Sequence, residues 1–309
     1  MLTSPLFYLS LFAAVSGISL PQALTPELYL VPTHSLSEPV TVAFLPTPIF
    51  RTTPKKIDQD TGPVISAKAA LVVDQTSGAV LWQKEPDLVL PIASISKLMT
   101  AAVAQEQITN WEETYALQWN EVVLGGATFS AGVGDTFTKH DLLKAALVGS
   151  ANNAAAALAH STGLPEDQFV QAMNAKAVQL GMTNTHYVEP TGLSAANQST
   201  VRDLALLFRS ITAYPVLMEP LGQVEHRMVN GDQELVVKTT NRLLKEHDPF
   251  VIAGKTGFTY EAGNCLTVVA RDSAGHQIIV VLLGGPDEDS RFTETQALVN
   301  WTFAHYNWP

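Results

Sequence analysis

Cys265-Leu266-Thr267-Val268-Val269-Ala270, the turn Asp272-Ser273-Ala274-Gly275, and Gln277-Ile278-Ile279-Val280-Val281-Leu282-Leu283 read as two neighbouring strands joined by a hairpin. Both runs have strand length, are rich in β-branched residues and are bounded by turn formers. A similar pair stands far upstream. Ala69-Ala70-Leu71-Val72-Val73-Asp74 reads as a buried strand, Gln75-Thr76-Ser77-Gly78 as a turn, and Ala79-Val80-Leu81-Trp82-Gln83 as the returning strand. The residues between the two pairs are helical in character: Leu98 to Ala104, the Ala/Leu-rich stretch Asp141 to His160, Glu166 to Leu180 closed by Gly181, and Arg202 to Ile211. Thr293 to Tyr306 closes the chain as a helix. Strands, helices, strands and helix in that order predict an α/β (α+β) fold. Its mostly antiparallel sheet comes from both chain ends, with flanking helices and an inserted helical region.

The chain before Ile65 has a different composition. Leu6 to Val15 is apolar and is followed by small residues, so residues 1–23 read as a signal peptide or an N-terminal anchor, although the first basic residue is Arg51. Residues 24–64 hold seven prolines and no sustained period, the pattern of an extended linker. The globular domain is expected over 65–309. The formal charge of −11, with Lys55-Lys56 the only adjacent basic pair, argues against nucleic acid or anionic lipid as a partner. Cys265 is the only cysteine and the eight histidines are scattered, so neither an intrachain disulfide nor a metal-ligand string is expected, and no cofactor is implied.

Three short strings carry the chemistry: Ser94-Ile95-Ser96-Lys97, Ser150-Ala151-Asn152 and Lys255-Thr256-Gly257. With 18 serines and 11 lysines in 309 residues, a chance S-x-x-K string arises about 0.6 times, so the first string alone proves nothing. The ordered set is far harder to reach by accident. A serine hydroxyl needs a base within hydrogen-bond reach to act as a nucleophile. Ser94 and Lys97, three apart at a helix start, share one face. A lysine serves as base only where burial and neighbouring cations lower its pKa, and Lys255 is such a neighbour. Ser150 can relay a proton and Asn152 can hold Lys97 or bond a substrate amide, although this string taken alone reads better as a helix N-cap before the alanine run. Lys255 and Thr256 suit a substrate carboxylate, and Gly257 lets a ligand approach the backbone as an added strand.

On these strings, and on Val188-Glu189-Pro190-Thr191-Gly192-Leu193-Ser194 and Gly254-Lys255-Thr256-Gly257-Phe258-Thr259, the chain resembles the serine-type D-Ala-D-Ala carboxypeptidases, the low-molecular-mass penicillin-binding proteins, from about Ile65 to Trp308. The resemblance implies a penicillin-binding transpeptidase-like fold. It implies Ser94 as acylated nucleophile, Lys97 as base, and Ser150 and Asn152 as the proton relay. Lys255, Thr256, Gly257, Phe258 and Arg291 would bind substrate, with the backbone N–H groups of Ser94 and Phe258 as oxyanion hole. The implied enzyme is exported to the periplasm or outer cell-wall face and remodels peptidoglycan. Its partners would be stem peptides ending in D-Ala-D-Ala and, as inhibitors, β-lactams. Phe258 stands where many carboxypeptidases of the family carry histidine, as in the D,D-endopeptidase branch, so cleavage of cross-links is the alternative activity. A β-lactamase, with Glu189 in the place of a class A glutamate but Leu193 where asparagine is expected, and a non-catalytic β-lactam-binding module are the remaining rivals. The family's β-rich second domain and C-terminal anchor have no counterpart in the sequence, so any membrane contact is expected from the N-terminal segment.

Overall fold

The computed structural model describes residues 52–122 and 124–309, and the segments read as signal peptide and most of the linker lie outside the described residues. At its centre is a five-stranded sheet of β1 (Ala69–Asp74), β2 (Val80–Lys84), β3 (Val251–Thr259), β4 (Gly263–Arg271) and β5 (Gln277–Gly285). Its order is β3-β4-β5-β1-β2 and every pairing is antiparallel. The register places Val280 opposite Val72 and Val268, which joins the two ends of the chain in the middle of the sheet. The expected α+β architecture is the one observed.

The strands run apolar without strict alternation because both sheet faces are covered. Leu71, Val269, Val281 and Leu283 face the core shared with the helical region. Their sequence neighbours Val72, Val268, Val280 and Leu282 face a second core closed by Phe292, Leu298 and Val299. Each fully buried side chain of this size contributes roughly 1.5–3 kcal/mol.

The helices of eight residues or more are α1 (Lys97–Gln107), α2 (Lys139–Val148), α3 (Asn152–His160), α4 (Glu166–Gln179), α5 (Val201–Ile211), α6 (Pro215–Gly222) and α7 (Glu288–His305). The helical stretch from Asp141 to His160 is two helices, interrupted at the Ser150-Ala151-Asn152 string. They break at Gly149-Ser150-Ala151, where Ser150 has φ +58°. The last helix begins five residues before the expected Thr293, because Asp287 accepts from the Ser290 backbone N–H and the Ser290 hydroxyl lies against the Asp287 backbone in return, a capping box. A hairpin of Glu225–Asn230 and Gln233–Lys238, not foreseen in the sequence, packs against α2.

Part of the Pro-rich stretch is ordered against the domain. Lys55–Lys56 pairs antiparallel with Tyr306–Asn307. Asp58 contacts His305 Nδ1 at 2.5 Å, and Trp301 Nε1 donates to Asp60 Oδ1 at 2.7 Å. The residues just before the sheet are therefore fastened to α7. Among the described residues, no single helix is long and apolar enough to cross a membrane.

Candidate active site

Ser94 sits in a 3-10 turn, Ala93–Ser96, which runs directly into α1 at Lys97. The turn is set beside the edge strand β3. A Cβ on Gly257 would stand 2.9 Å from the Ile92 carbonyl oxygen and 3.3 Å from the Ala93 Cβ, so glycine is what allows the strand so close. On the other side Gly192, at φ +85°, lies against the Ala93–Ser94 peptide. Ser94 is half-buried, with its hydroxyl between the sheet edge and the helical region.

The side chain of Lys97 is 1% exposed. Its amine lies 2.9 Å from Ser94 Oγ, 2.6 Å from Asn152 Oδ1 and 2.6 Å from the Thr191 carbonyl oxygen. Burial pulls its pKa from the ordinary lysine value down to about 7, with the Glu189 carboxylate acting in the opposite direction. At that value a large share of the amine is neutral near pH 7. A neutral amine at 2.9 Å can accept the hydroxyl proton along the contact that is already made.

Asn152 opens α3 and is fixed from two directions. Its backbone N–H donates to the Ala127 carbonyl at 2.7 Å, and its side-chain amide donates to the Gly125 carbonyl at 2.7 Å. Lys255, also 1% exposed, donates to Ser150 Oγ at 2.8 Å and to the Thr256 carbonyl at 3.0 Å. Burial, then the charges of Lys97 and Arg291, hold its pKa well below the usual lysine range. The Thr256 hydroxyl bonds the Thr240 hydroxyl. The break between α2 and α3 thus places Ser150 against Lys255 and Asn152 against Lys97, so the three sequence strings, 161 positions apart at their ends (255 − 94), share one buried polar cluster.

Phe258 is 53% exposed and meets Tyr260 edge-to-face, with ring centroids 5.8 Å apart. Arg291 lies beneath β3. Its guanidinium donates to the Gly257 carbonyl at 3.2 Å and to Glu288 at 3.1 Å, with the side chain 7% exposed. As the structure stands, its nearest partners are backbone and Glu288.

Three contributions had no side-chain signal in the sequence. The Thr191 carbonyl bonds Lys97, the Gly125 and Ala127 carbonyls fix Asn152, and Thr240 partners Thr256. Backbone acceptors carry no residue-type signature, although Thr191 and Gly192 fall inside a stretch already singled out. Beside Thr191 a cavity of about 450 Å³ is lined by His160, Glu166, Glu189 and Leu193 among others.

Residues 55–287 match the family described as peptidase S11, D-alanyl-D-alanine carboxypeptidase. The chain is 40% identical over 243 residues to a D-alanyl-D-alanine endopeptidase of Pseudomonas aeruginosa, covering 77% of each. It is 33% identical over 277 residues to a D-alanyl-D-alanine endopeptidase of Escherichia coli, covering 88% of each. The fold is similar to the crystal structure of a D-alanyl-D-alanine carboxypeptidase from Mycobacterium tuberculosis. The TM-score is 0.76 at 28% identity, over 81% of this chain and 96% of that one.

Proposed function

The chain belongs to the D-alanyl-D-alanine carboxypeptidase family, and from that premise we propose that Ser94 is the acylated nucleophile and Lys97 its base. The protein is a serine-type D-Ala-D-Ala carboxypeptidase that acts on peptidoglycan stem peptides. In the proposed reaction the Ser94 oxygen attacks the carbonyl of the penultimate D-Ala while its proton passes to the neutral Lys97 amine. The C–N bond then breaks as Lys97 passes its proton through Ser150 to the leaving D-Ala amine. Water attacks the resulting ester and gives its proton to the now neutral Lys97, which returns a proton to the departing Ser94 oxygen. Backbone N–H groups of Ser94 and Phe258 receive the oxyanion. Asn152 holds Lys97 and the substrate amide, and Lys255 and Thr256 receive the terminal carboxylate. Arg291, through its bond to the Gly257 carbonyl, steadies the strand that offers these groups and adds positive potential beneath them.

The observation that carries this reading is the buried amine of Lys97, 2.9 Å from Ser94 Oγ with a pKa near 7. Cleavage of a cross-linked stem-peptide dimer is a second reading. It is favoured by the exposed Phe258–Tyr260 pair at the cleft rim, which offers contact area beyond one leaving D-Ala, and by the two endopeptidase relatives. Incubation with a defined mixture of monomeric pentapeptide and cross-linked dimer, read by mass spectrometry, tests both. Release of D-Ala from monomer supports the first reading and conversion of dimer to monomers the second. Failure of both on a folded enzyme that binds penicillin refutes the proposed roles.

Enzymes of this kind work at the cell wall, which implies export. We assign the export signal or anchor to residues 1–23, with a periplasmic or extracellular catalytic domain from about residue 65. The end of the linker is fastened to the domain through Lys55–Lys56, Asp58 and Asp60.

A further inference from the structure

The stretch Glu189–Ser194 resembles a class A β-lactamase glutamate loop, yet the surroundings of its glutamate point to another task. One Glu189 oxygen accepts from the Thr191 N–H and the Thr191 hydroxyl, both at 2.6 Å. The other accepts from the Gly192 N–H at 2.7 Å, the Asn197 amide at 2.9 Å and the Ser194 N–H at 3.3 Å. A carboxylate offers about four acceptor sites, and five donors occupy them. No lone pair remains to take a proton from a hydrolytic water.

The donors hold a turn whose outer groups touch the reacting residues. The Thr191 carbonyl accepts from the Lys97 amine, the Pro190 carbonyl accepts from the Thr100 hydroxyl at 2.6 Å, and Gly192 backs the Ala93–Ser94 peptide. Asn197 closes the assembly by donating to Ser96 Oγ at 3.1 Å while its carbonyl receives the Ile92 N–H at 3.1 Å. We propose that Glu189 is a positioning residue for acylation: its carboxylate fixes the 189–194 turn so that Thr191 and Gly192 hold the Lys97 amine and the Ser94 turn in register. This rests on the proposed roles of Ser94 and Lys97.

Glu189 also acts through its charge. Among the described residues it is the anion that pulls on Lys97, and it opposes the effect of burial. The charged groups around the pair are Lys255 on the β3 side and, on the cavity rim shared with Glu189, His160 and Glu166. His160 is already matched by the Glu121 carboxylate at 2.6 Å, so a His160→Gln variant serves as the control whose pH limb stays in place. Acylation needs the neutral amine, so the rate rises with pH through the Lys97 pKa. Removing the anion lowers that pKa and moves the rising limb to lower pH.

The test is the pH dependence of covalent penicillin labelling in the full chain for wild type, Glu189→Gln and Glu189→Asp, with thermal melting and adduct hydrolysis alongside. Glu189→Gln should move the rising limb down by about 0.5–1 pH unit and lower the plateau about 10–100-fold as the turn loosens. Glu189→Asp keeps the charge but falls one methylene short. Its limb should stay at the wild-type position while its plateau drops. Because Lys97 serves both steps, adduct hydrolysis in both variants should slow together with acylation, with no loss confined to hydrolysis. A wild-type plateau in Glu189→Asp overturns the proposal even if the glutamine variant fails to fold. So does a Gln variant with the wild-type limb, or one that acylates normally and loses only adduct hydrolysis. Absence of any adduct on Ser94 in wild type refutes instead the roles of Ser94 and Lys97. An adduct on Ser94 with an unmoved limb refutes the Glu189 proposal alone.

Discussion

Gly192→Ala probes how tightly the Ser94 turn is held. Gly192 has φ +85°, and a Cβ there would stand 2.0 Å from the Ala93 carbonyl oxygen and 2.9 Å from the Ser94 nitrogen. Contacts under 3.0 Å are not tolerated, so either the loop or the Ser94 turn must retreat by at least 1.0 Å (3.0 − 2.0). Both neighbours are backbone, with no flexible end to swing aside. A displacement of that size at a reacting centre costs about 100-fold in rate, or about 2.7 kcal/mol of transition-state stabilisation. The left-handed backbone adds roughly 1–2 kcal/mol of destabilisation for any residue with a Cβ. Gly163→Ala isolates that part, because Gly163 has φ +82° and nothing within 4 Å of the same position. Labelling by a fluorescent penicillin, followed by stopped flow with melting curves for both variants, reads the difference. Gly163→Ala should melt lower and label at the wild-type rate, whereas Gly192→Ala should melt lower still and label about 100-fold more slowly. Equal labelling rates in the two variants would refute the tight contact between the 189–194 turn and Ser94.

Lys97→Arg should lower the acylation rate roughly 10²–10⁴-fold, since arginine keeps the charge but supplies no base; in wild type the rate should rise as pH passes about 7, and a profile flat through neutrality would count against Lys97. Lys255→Ala should weaken binding of acyl-D-Ala-D-Ala by roughly 1.5–3 kcal/mol, the size of a charge-assisted hydrogen bond, and an unchanged KM for the free-carboxylate substrate would contradict its assignment. Phe258→Ala and Tyr260→Ala should reduce cleavage of cross-linked dimer more than release of D-Ala from monomer, as product analysis would show. An equal loss on both substrates would place the aromatic pair outside substrate selection.

The fold was legible where hydrophobic runs had strand or helix length. The paired strands at both chain ends declared the antiparallel sheet because β-branched runs are interrupted by turn residues. The hairpin at 225–238 was missed although Gly231-Asp232, between the paired Asn230 and Gln233, is a two-residue hairpin turn. Its strands Glu225–Asn230 and Gln233–Lys238 mix charged and apolar residues, and most of their positions are exposed or half-buried. The start of α7 was hidden because its cap, Asp287 with Ser290, lies in a polar stretch that carries no apolar period. The side chains of the polar cluster were readable from residue type and order. Their partners were not, because the Thr191, Gly125 and Ala127 carbonyls belong to the backbone and reach the cluster only through long-range packing. Arg291 shows the reverse limit. The family resemblance implied a substrate carboxylate for it, and in the structure its partners are the Gly257 carbonyl and Glu288.

The most direct measurement is the mass-spectrometric mapping of the covalent adduct formed when the full chain meets penicillin. The buried lysine amine 2.9 Å from Ser94 Oγ predicts one adduct, on the peptide that contains Ser94, formed in wild type and lost in Ser94→Ala. An adduct on another residue, or undiminished labelling of Ser94→Ala, would contradict the assignment of Ser94 as nucleophile.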